Sequence, residues 1–385
     1  MDNIHSAANL VGRLCLRRAR KRPVRSGGRT ASRIVVILAV AVMIGGATAA
    51  QAAATTGPSI TLNGDYTDIA VQGPNDSLKF YWAADGSTTW TAETVAGSGT
   101  TYSAPSMLVN GNTVDIAVQG PNDSLDFYWA TIGTGTGTCT WHPETVAGSG
   151  TTYSAPSMIV NGDTFYITAQ GPNDSLKFYW ATIGTGTWNP ETVAGSGTAY
   201  SAPSMIRNGQ NVNIAVQGPD NSLDCYAASI GMDNWDPATV AGPGSTFSAP
   251  SIILIGVVQI AVQGPGNSLV DYSQVGPGDF SPDTIVGSGT TFSAPAMIEN
   301  NGRDIAVQGS GNALDIYWAP NNSDAWDPGT VAGPGTTYSE PAMVLNGDGV
   351  DMTAVGPDGS LYDYWAENGW ATWSVGTVAP PGSVN

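Results

Sequence analysis

The chain has 385 residues, of which only 11% are charged, and its acidic residues outnumber its basic residues by 31 to 13. Nine of the basic residues lie in the first 52 positions, so the rest of the chain carries four basic residues against 30 acidic ones. Such an acidic body repels phosphate backbones and anionic membranes, which excludes nucleic acid and a membrane surface as expected partners.

The amino-terminal 52 residues predict a secretory signal peptide. Basic residues precede an apolar run from Ile34 to Ile44, and small residues follow, with Ala50-Gln51-Ala52 as the cleavage site. The apolar run of 11 residues is shorter than the roughly 20 residues that span a bilayer. An uncleaved signal anchor is the alternative. We therefore expect a secreted, extracellular protein that is cleaved near Ala52.

A glutamine followed by a glycine-containing turn recurs through the rest of the chain every 45–51 residues. Repetition at this spacing is typical of repeat architectures, and it overrides the two or three domains that the length alone would suggest. Seven units run from 57 to 379, and they start near residues 57, 104, 155, 202, 249, 294 and 340. The recurring position is occupied by Gln72, Gln119, Gln170, Gln217, Gln263, Gln308 and, in the last unit, Val355.

Each unit contains four short strand signals separated by turn residues. In the second unit the predicted strands are Ser106–Val109, Val114–Gln119, Ser124–Ala130 and Glu144–Val146. Asn-Gly suits the positive φ of a tight hairpin, and Gly-Pro-Asn-Asp supplies the next turn. The repeated part of the chain shows no helical periodicity with start and stop signals. The sequence therefore predicts an all-β fold.

Seven units of four antiparallel strands predict a seven-bladed β-propeller. A β-solenoid is the alternative, but we find no capping repeats with a polar outer face. The linker Gly148–Ser154 has seven residues and spans about 23 Å when extended. It can therefore return from an outer strand to the inner strand of the next unit. We expect the Ala-Pro-Ser-Met strand to be innermost and the Glu-Thr-Val-Ala-Gly strand outermost, with the first unit beside the seventh.

The aromatic residues divide into framework positions and candidate binding positions. A Tyr near the end of the third strand and a Leu three residues earlier recur in every unit, which predicts packing between blades. The Trp after that Tyr is lost in the fourth and fifth units, so it is either packing or a platform for stacking on sugars. These candidate carbohydrate-binding residues are Trp82, Trp129, Trp180, Trp318 and Trp365. A second set near the start of the fourth strand is interpreted as packing: Trp90, Trp141, Trp188, Trp235, Trp326 and Trp373.

The unit layout resembles the PLL-like bacterial lectins, which are seven-bladed propellers related to the tachylectins. The resemblance is carried by Ala-Pro-Ser, by Asp-Ile-Ala-Val-Gln-Gly, by the Ser-Leu-x-x-Tyr-Trp strand and by the Trp-x-Pro-Glu-Thr strand. It covers all seven units, and it is strongest in the last unit, in the segment from Gly356 to Trp365. The resemblance implies several sites for neutral sugars such as fucose, in pockets between blades.

A fainter resemblance links two segments to the calcium loops of integrin-type propeller repeats. They are Asn63–Asp68 and Asn346–Asp351, but the leading Asp of the loop is missing, with Val344 near its place. Most units also lack the second Asp. Calcium prefers oxygen ligands of this kind. Because the loops are incomplete, we nevertheless expect no metal site.

An enzyme is not expected. Beyond the signal peptide the only His is His142, and the HExxH, GxSxG and P-loop motifs are absent. Acids that recur as equivalents, such as Glu93, Glu144 and Glu191, are interpreted as framework rather than as a catalytic pair. The sequence thus predicts a multivalent glycan-binding protein without cofactor. A protein-binding or cell-surface adhesion scaffold without a sugar site is the alternative.

Overall fold

The computed structural model describes residues 56–131, 139–321, 323, 325–366 and 372–385. The predicted signal peptide, residues 1–52, lies outside the described residues. All regular elements in the described ranges are β-strands or single 3-10 turns. None of these residues forms a helix that is long and apolar enough to cross a membrane.

The strands form seven sheets of four, and each sheet takes four consecutive strands in chain order. In the first blade they are β1 Ser59–Asn63, β2 Tyr66–Gly73, β3 Ser77–Ala84 and β4 Thr91–Ala96. In the second they are β5 Ser106–Asn110, β6 Thr113–Gln119, β7 Leu125–Thr131 and β8 His142–Ala147. In the third they are β9 Ser157–Asn161, β10 Thr164–Gly171, β11 Ser175–Thr182 and β12 Asn189–Ala194. In the fourth they are β13 Ser204–Asn208, β14 Asn211–Gln217, β15 Leu223–Ser229 and β16 Asp236–Ala241.

The remaining three blades repeat the same order. The fifth contains β17 Ser251–Ile255, β18 Val257–Gly264, β19 Ser268–Gly276 and β20 Asp279–Val286. The sixth contains β21 Ala296–Glu299, β22 Gly302–Gln308, β23 Leu314–Pro320 and β24 Asp327–Ala332. The seventh contains β25 Ala342–Asn346, β26 Gly349–Val355, β27 Leu361–Ala366 and β28 Ser374–Ala379. The predicted seven-bladed all-β propeller is therefore confirmed.

The first strands of consecutive blades contact one another around the whole ring, and β1 contacts β25. The Ala-Pro-Ser-Met strands are thus innermost, and the ring closes between the first and seventh blades, as the sequence predicts. The fourth strand of the second blade begins at His142, two residues earlier than expected. An outer strand needs no hydrogen bonds on its solvent side, so Pro143 is tolerated there.

Serine at the start of the inner strand joins neighbouring blades. Ser59 Oγ accepts a 3.2 Å hydrogen bond from the backbone N–H of Met107, one blade further on. Ser106 accepts from Met158 in the same way at 3.1 Å. The same contact follows at three more interfaces, made by Ser157, Ser204 and Ser251. The recurring Ser of Ala-Pro-Ser therefore ties the inner strand of each of the first five blades to the inner strand of the next blade.

The Gly-Pro-Asn-Asp turn matches the expected tight connection between the second and third strands. In the second blade Asn122 and Asp123 both have a φ near +60°, a conformation that Asn and Asp adopt more readily than most residues. A Cβ on Gly120 would collide with the side chains of Ser124 and Asp126. This position therefore requires glycine, which explains why the Gly recurs.

Alternate side chains of the third strand pack against the two neighbouring blades. Leu176 and Phe178 of β11 share a core with Val212 and Tyr226 of the fourth blade. The recurring Tyr thus faces the preceding blade, while the Leu and the residue two positions later face the following blade. The third-strand Tyr is buried in every blade, at Tyr81, Tyr128, Tyr179, Tyr226, Tyr272, Tyr317 and Tyr364. The predicted packing role of these residues is confirmed.

The carboxy-terminal segment completes the ring by imitating a linker. Between the first and second blades, the backbone N–H of Tyr102 donates to the carbonyl of Gln119 at 2.9 Å. At the join of the seventh and first blades, Asn385 N–H donates to the carbonyl of Gln72 at 3.2 Å. Thr56 takes the next position of this linker, and its hydroxyl donates to the Gln72 side chain at 2.8 Å.

Candidate functional site

Two cavities lie at interfaces between blades, beside the ends of the third strands. One lies between the second and third blades and is called cavity 2–3; the other lies between the third and fourth blades and is called cavity 3–4. Because strands alternate in direction, this face is opposite the one on which the linkers enter the inner strands. The blade framework fixes both cavities, since each wall belongs to a strand or to the loop that joins two strands.

Cavity 3–4 has a volume of 520 Å³, and four aromatic residues contribute to its wall. Phe178 and Trp180 of β11 form one side, and Trp235, at the start of the fourth strand of the next blade, forms the other. Trp180 is 39% exposed, the most accessible of the candidate Trp residues. The Trp235 ring meets Phe178 edge to face, with centroids 5.1 Å apart. A ring-sized ligand can therefore lie against Trp180 while Trp235 is held in place.

A carboxylate faces these rings in cavity 3–4. Glu191 of β12 lines the cavity and accepts a hydrogen bond from Trp235 Nε1 on the next blade. Burial raises the pKa of Glu191, the Trp235 hydrogen bond opposes this, and Asp233 raises it further. Since Oε1 receives the indole N–H, Oε2 remains to accept a hydrogen bond from a ligand hydroxyl or amine.

Cavity 2–3 repeats this arrangement in a volume of 340 Å³. Trp188 Nε1 donates to Glu144 Oε1 at 2.6 Å, and the Trp188 ring meets Phe127 edge to face at 5.5 Å. Trp129 lines the cavity, but its ring also stacks on His142, with centroids 4.2 Å apart. One face of Trp129 is therefore occupied from within the second blade.

The remaining three candidate Trp residues are half-buried and lie in different surroundings. Trp82 stacks on Phe80 of its own blade, with centroids 5.6 Å apart. Trp365 lies against Gly376, where an added Cβ would come within 3.2 Å of its ring. Trp318 pairs across its sheet with Asp304 and Asp327. The structure thus brings Trp129 and Trp180 to aromatic cavities, and a sugar-binding role for all five stays a prediction.

The interfaces have diverged from one another at the positions that line the cavities. Between the first and second blades, Glu93 accepts from the backbone N–H of Cys139 at 3.3 Å. The buried Trp141 Nε1 has no hydrogen-bond partner there among the described residues. Between the fourth and fifth blades, Cys225 and Ala227 stand where the third blade has Phe178 and Trp180.

Between the fifth and sixth blades a buried ion pair fills the corresponding space. Arg303 Nη1 lies 2.7 Å from Asp271 Oδ2, and its guanidinium lies 4.6 Å from the ring centroid of Trp326. Burial raises the pKa of Asp271 to about 6, although Arg303 lowers it. At this interface the Arg303 side chain therefore fills the space that forms a cavity between the second, third and fourth blades.

Between the seventh and first blades, carboxylates replace aromatic residues. Asp363 stands at the position of Phe178 and is buried, and its Oδ1 has no hydrogen-bond partner among the described residues. Asn346 Nδ2 donates at 2.9 Å to both Asp85 and Asp351. Nevertheless, no group of three or more His, Cys, Asp or Glu side chains in the described ranges could hold a metal ion.

Sequence reasoning missed two components of the cavities. The fourth-strand residues Trp188 and Trp235 were assigned to packing, yet they both pack and form cavity walls. The recurring Glu144 and Glu191 were assigned to framework, yet each lies in a cavity. Both were missed because each cavity combines residues of two consecutive units. The sequence does contain a pattern that indicates the pairing. A unit with Glu in its fourth strand is followed by a unit with Trp near the start of its fourth strand.

Solved structures with a similar fold include several lectins. The BP39L lectin from Burkholderia pseudomallei is 17% identical with a TM-score of 0.74, over 86% of this chain and 99% of that one. A variant of the Aleuria aurantia lectin in complex with α-methyl-L-fucoside is 12% identical with a TM-score of 0.51, over 86% of this chain and 97% of that one. The chain is a seven-bladed β-propeller. The predicted resemblance to propeller lectins is confirmed at the level of the fold.

The fold also occurs in enzymes. A structure from a study of two prolyl endopeptidases is 13% identical with a TM-score of 0.54, over 85% of this chain but only 50% of that one. No protein-family model matches this chain, and no curated protein does. Function therefore has to be argued from the cavities, because one fold carries many functions.

Proposed function

We propose that the chain is a secreted carbohydrate-binding protein with several sites and without catalysis. The observation that carries this proposal is the pairing, at cavities 2–3 and 3–4, of an accessible Trp with a carboxylate that is fixed by the next blade. Sugar rings present apolar C–H faces that stack on indole, while carboxylate oxygens accept hydrogen bonds from hydroxyls. The lectin neighbours support the same class of ligand.

Repetition of weak sites suits a ligand that is itself repetitive. A glycan surface engages several blades at once, so the avidity exceeds the affinity of any single site. If each third-strand Trp forms one platform, the chain has at most five sites, because five blades keep this Trp. The neutral sugars implied by the resemblance, fucose among them, are the first ligands to test. Secretion is supported by the segment 1–52 of the sequence.

A glycan array followed by calorimetry tests this proposal. Trp180→Ala should remove or weaken the site at cavity 3–4 by roughly 1 kcal/mol or more. The matched control is Trp318→Ala, the same change at an interface where Gly329 stands in place of Glu191. We expect the control to leave binding at cavity 3–4 unchanged. If the array shows no sugar binding, or if Trp318→Ala weakens binding at cavity 3–4 as much as Trp180→Ala does, the proposal fails.

A second candidate function, a protein-binding scaffold, is favoured by the opposite face. Large side chains just before the inner strands are 38–47% exposed there, and four of them surround the mouth of an axial cavity of 360 Å³. The six residues are Tyr102, Tyr153, Tyr200, Phe247, Phe292 and Tyr338. Aromatic residues are enriched at protein interfaces. Tyr153→Ser combined with Tyr200→Ser should abolish capture of a protein partner but leave sugar binding intact.

A further inference from the structure

Two carboxyl side chains line cavity 3–4, and one of them, Asp233, is exposed at its rim. Glu191 and Asp233 both line it, and burial, with Asp233 adding to it, raises the pKa of Glu191. One oxygen of Glu191 is occupied by the Trp235 indole. The repulsion between the carboxylates would be relieved by a positive group placed between them.

None of the described residues supplies such a positive group at this cavity. No Lys, Arg or His lines cavity 3–4, and the basic residues of the described ranges have partners elsewhere. Lys79 and Lys177 donate to Thr94 and Thr192 on their own sheets. Arg207 donates to the carbonyl of Gly209, and Arg303 pairs with Asp271 at another interface.

The aromatic wall adds a second attraction for a positive charge. The faces of aromatic rings carry negative electrostatic potential and attract ammonium groups within about 6 Å. Tyr166, Phe178, Trp180 and Trp235 all line cavity 3–4. We therefore infer that this cavity prefers sugars that carry a free, protonated amino group over neutral sugars. The inference rests on the proposed carbohydrate-binding function and names the class of sugar.

Cavity 2–3 has the same character with a different second acid. Its two carboxylates are Glu144 and the buried Asp115, whose Oδ2 accepts from Thr113 at 3.0 Å. Gly186 stands at the position of Asp233, so the rim acid is absent and the second carboxyl lies deeper, where burial raises the pKa of Asp115 to about 6. Among the residues that the structure describes, no Lys, Arg or His lines this cavity either. Cavity 2–3 is therefore a second amino-sugar site, with Trp129 as its platform.

The test compares two ligands that differ only in the amine. The β-1,4-linked disaccharide of glucosamine and that of N-acetylglucosamine are titrated into the protein at pH 6 and physiological salt, with fucose as a third ligand. Disaccharides are used because an acidic protein surface attracts any polycation. We expect the glucosamine disaccharide to bind about tenfold more tightly than its acetylated form, on the scale of a desolvated cation–aromatic contact.

Variants then locate the effect. Glu191→Gln keeps an oxygen acceptor for Trp235 and removes one charge, so it should weaken the glucosamine disaccharide at cavity 3–4 about tenfold and weaken the acetylated disaccharide by a clearly smaller factor. Asp348→Asn removes an exposed charge in the turn between β25 and β26 and should have no effect. Equal affinities for the two disaccharides, or equal effects of the two variants, would overturn the inference but leave carbohydrate binding standing. Binding of no sugar at all would overturn both.

Discussion

The indole nitrogen of Trp188 donates a 2.6 Å hydrogen bond to Glu144 on the preceding blade. This bond crosses the interface between blades, so each partner fixes the other at the edge of cavity 2–3. A carboxylate that is held by a neighbouring blade loses little rotational freedom on binding a ligand. The same relationship between Trp235 and Glu191 defines cavity 3–4.

Trp188→Phe removes the N–H donor while it keeps a ring against Phe127. We expect a loss of about 1 kcal/mol in the free energy of unfolding, the scale of one hydrogen bond to a partly exposed carboxylate. Binding at cavity 2–3 should weaken as well. Denaturant unfolding and calorimetry measure the two effects. Trp90→Phe serves as the control, because Gly376 stands at the corresponding carboxylate position. Equal losses for both variants would contradict the assigned role of the bond.

The ion pair between Arg303 and Asp271 can be replaced by the residues that occupy the equivalent positions at another blade interface. The stability of the variants then tests the role of the pair. Arg303→Val leaves Asp271 buried without its cation, which should cost about 3–5 kcal/mol. Asp271→Phe together with Arg303→Val recreates the Phe178 and Val212 pair of the third interface. We expect the double variant to recover most of the loss in a denaturant-unfolding experiment. A double variant as unstable as the single one would show that the interface cannot accept the aromatic arrangement.

The sequence predicted the blades much better than it predicted the sites. The spacing of Gln72, Gln119 and the later glutamines determined the number of blades, and the turn chemistry determined the strand order. The cavities depend on pairs from different units, and a comparison of equivalent positions does not reveal them. Arg303 and Asp271 illustrate this, because each looks like an isolated irregularity until the two blades are placed side by side.

The buried acids should make stability depend on pH. Burial, followed by the nearby Asp351 and Asp85, raises the pKa of Asp363 from 3.8 to about 8. The folded state therefore binds a proton that the unfolded state releases between these values. Stability from this group is complete below pH 3.8 and is lost as the pH rises to about 8. Asp363→Asn should flatten this part of the stability profile measured by denaturant unfolding at successive pH values. A profile unchanged by the substitution would contradict the assignment.

The stack of His142 on Trp129 predicts an accessibility change. His142→Ala should uncover one face of Trp129 and increase its collisional quenching by acrylamide, with little effect on stability because His142 is exposed. Repeating the measurement in a Trp129→Phe background separates the quenching of Trp129 from that of the other Trp residues. In that background the increase should vanish. An increase that persists in that background would show that another Trp is responsible.

Ser106→Ala removes the side-chain acceptor for the backbone N–H of Met158. We expect a loss of about 1 kcal/mol in the free energy of unfolding. Ala296 and Ala342 occupy the same position in the last two blades, so the substitution is compatible with the fold. Ser87→Ala, in an irregular loop of the first blade, is the control and should cost less. Amide exchange at Met158 would report the lost bond directly, and unchanged protection there would contradict the prediction.

The register of Asn385 with Thr56 has a topological consequence. Asn385 occupies the position of Tyr102, and Thr56 occupies that of Ser103, so the two are consecutive in the repeat although no peptide bond joins them. In a variant from which residues 1–55 have been removed, ligating Asn385 directly to Thr56 would therefore give a circular polypeptide without an added spacer. Opening such a circle at any other linker would yield a permuted chain with the same seven sheets. The folded ring therefore does not depend on which blade comes first in the gene.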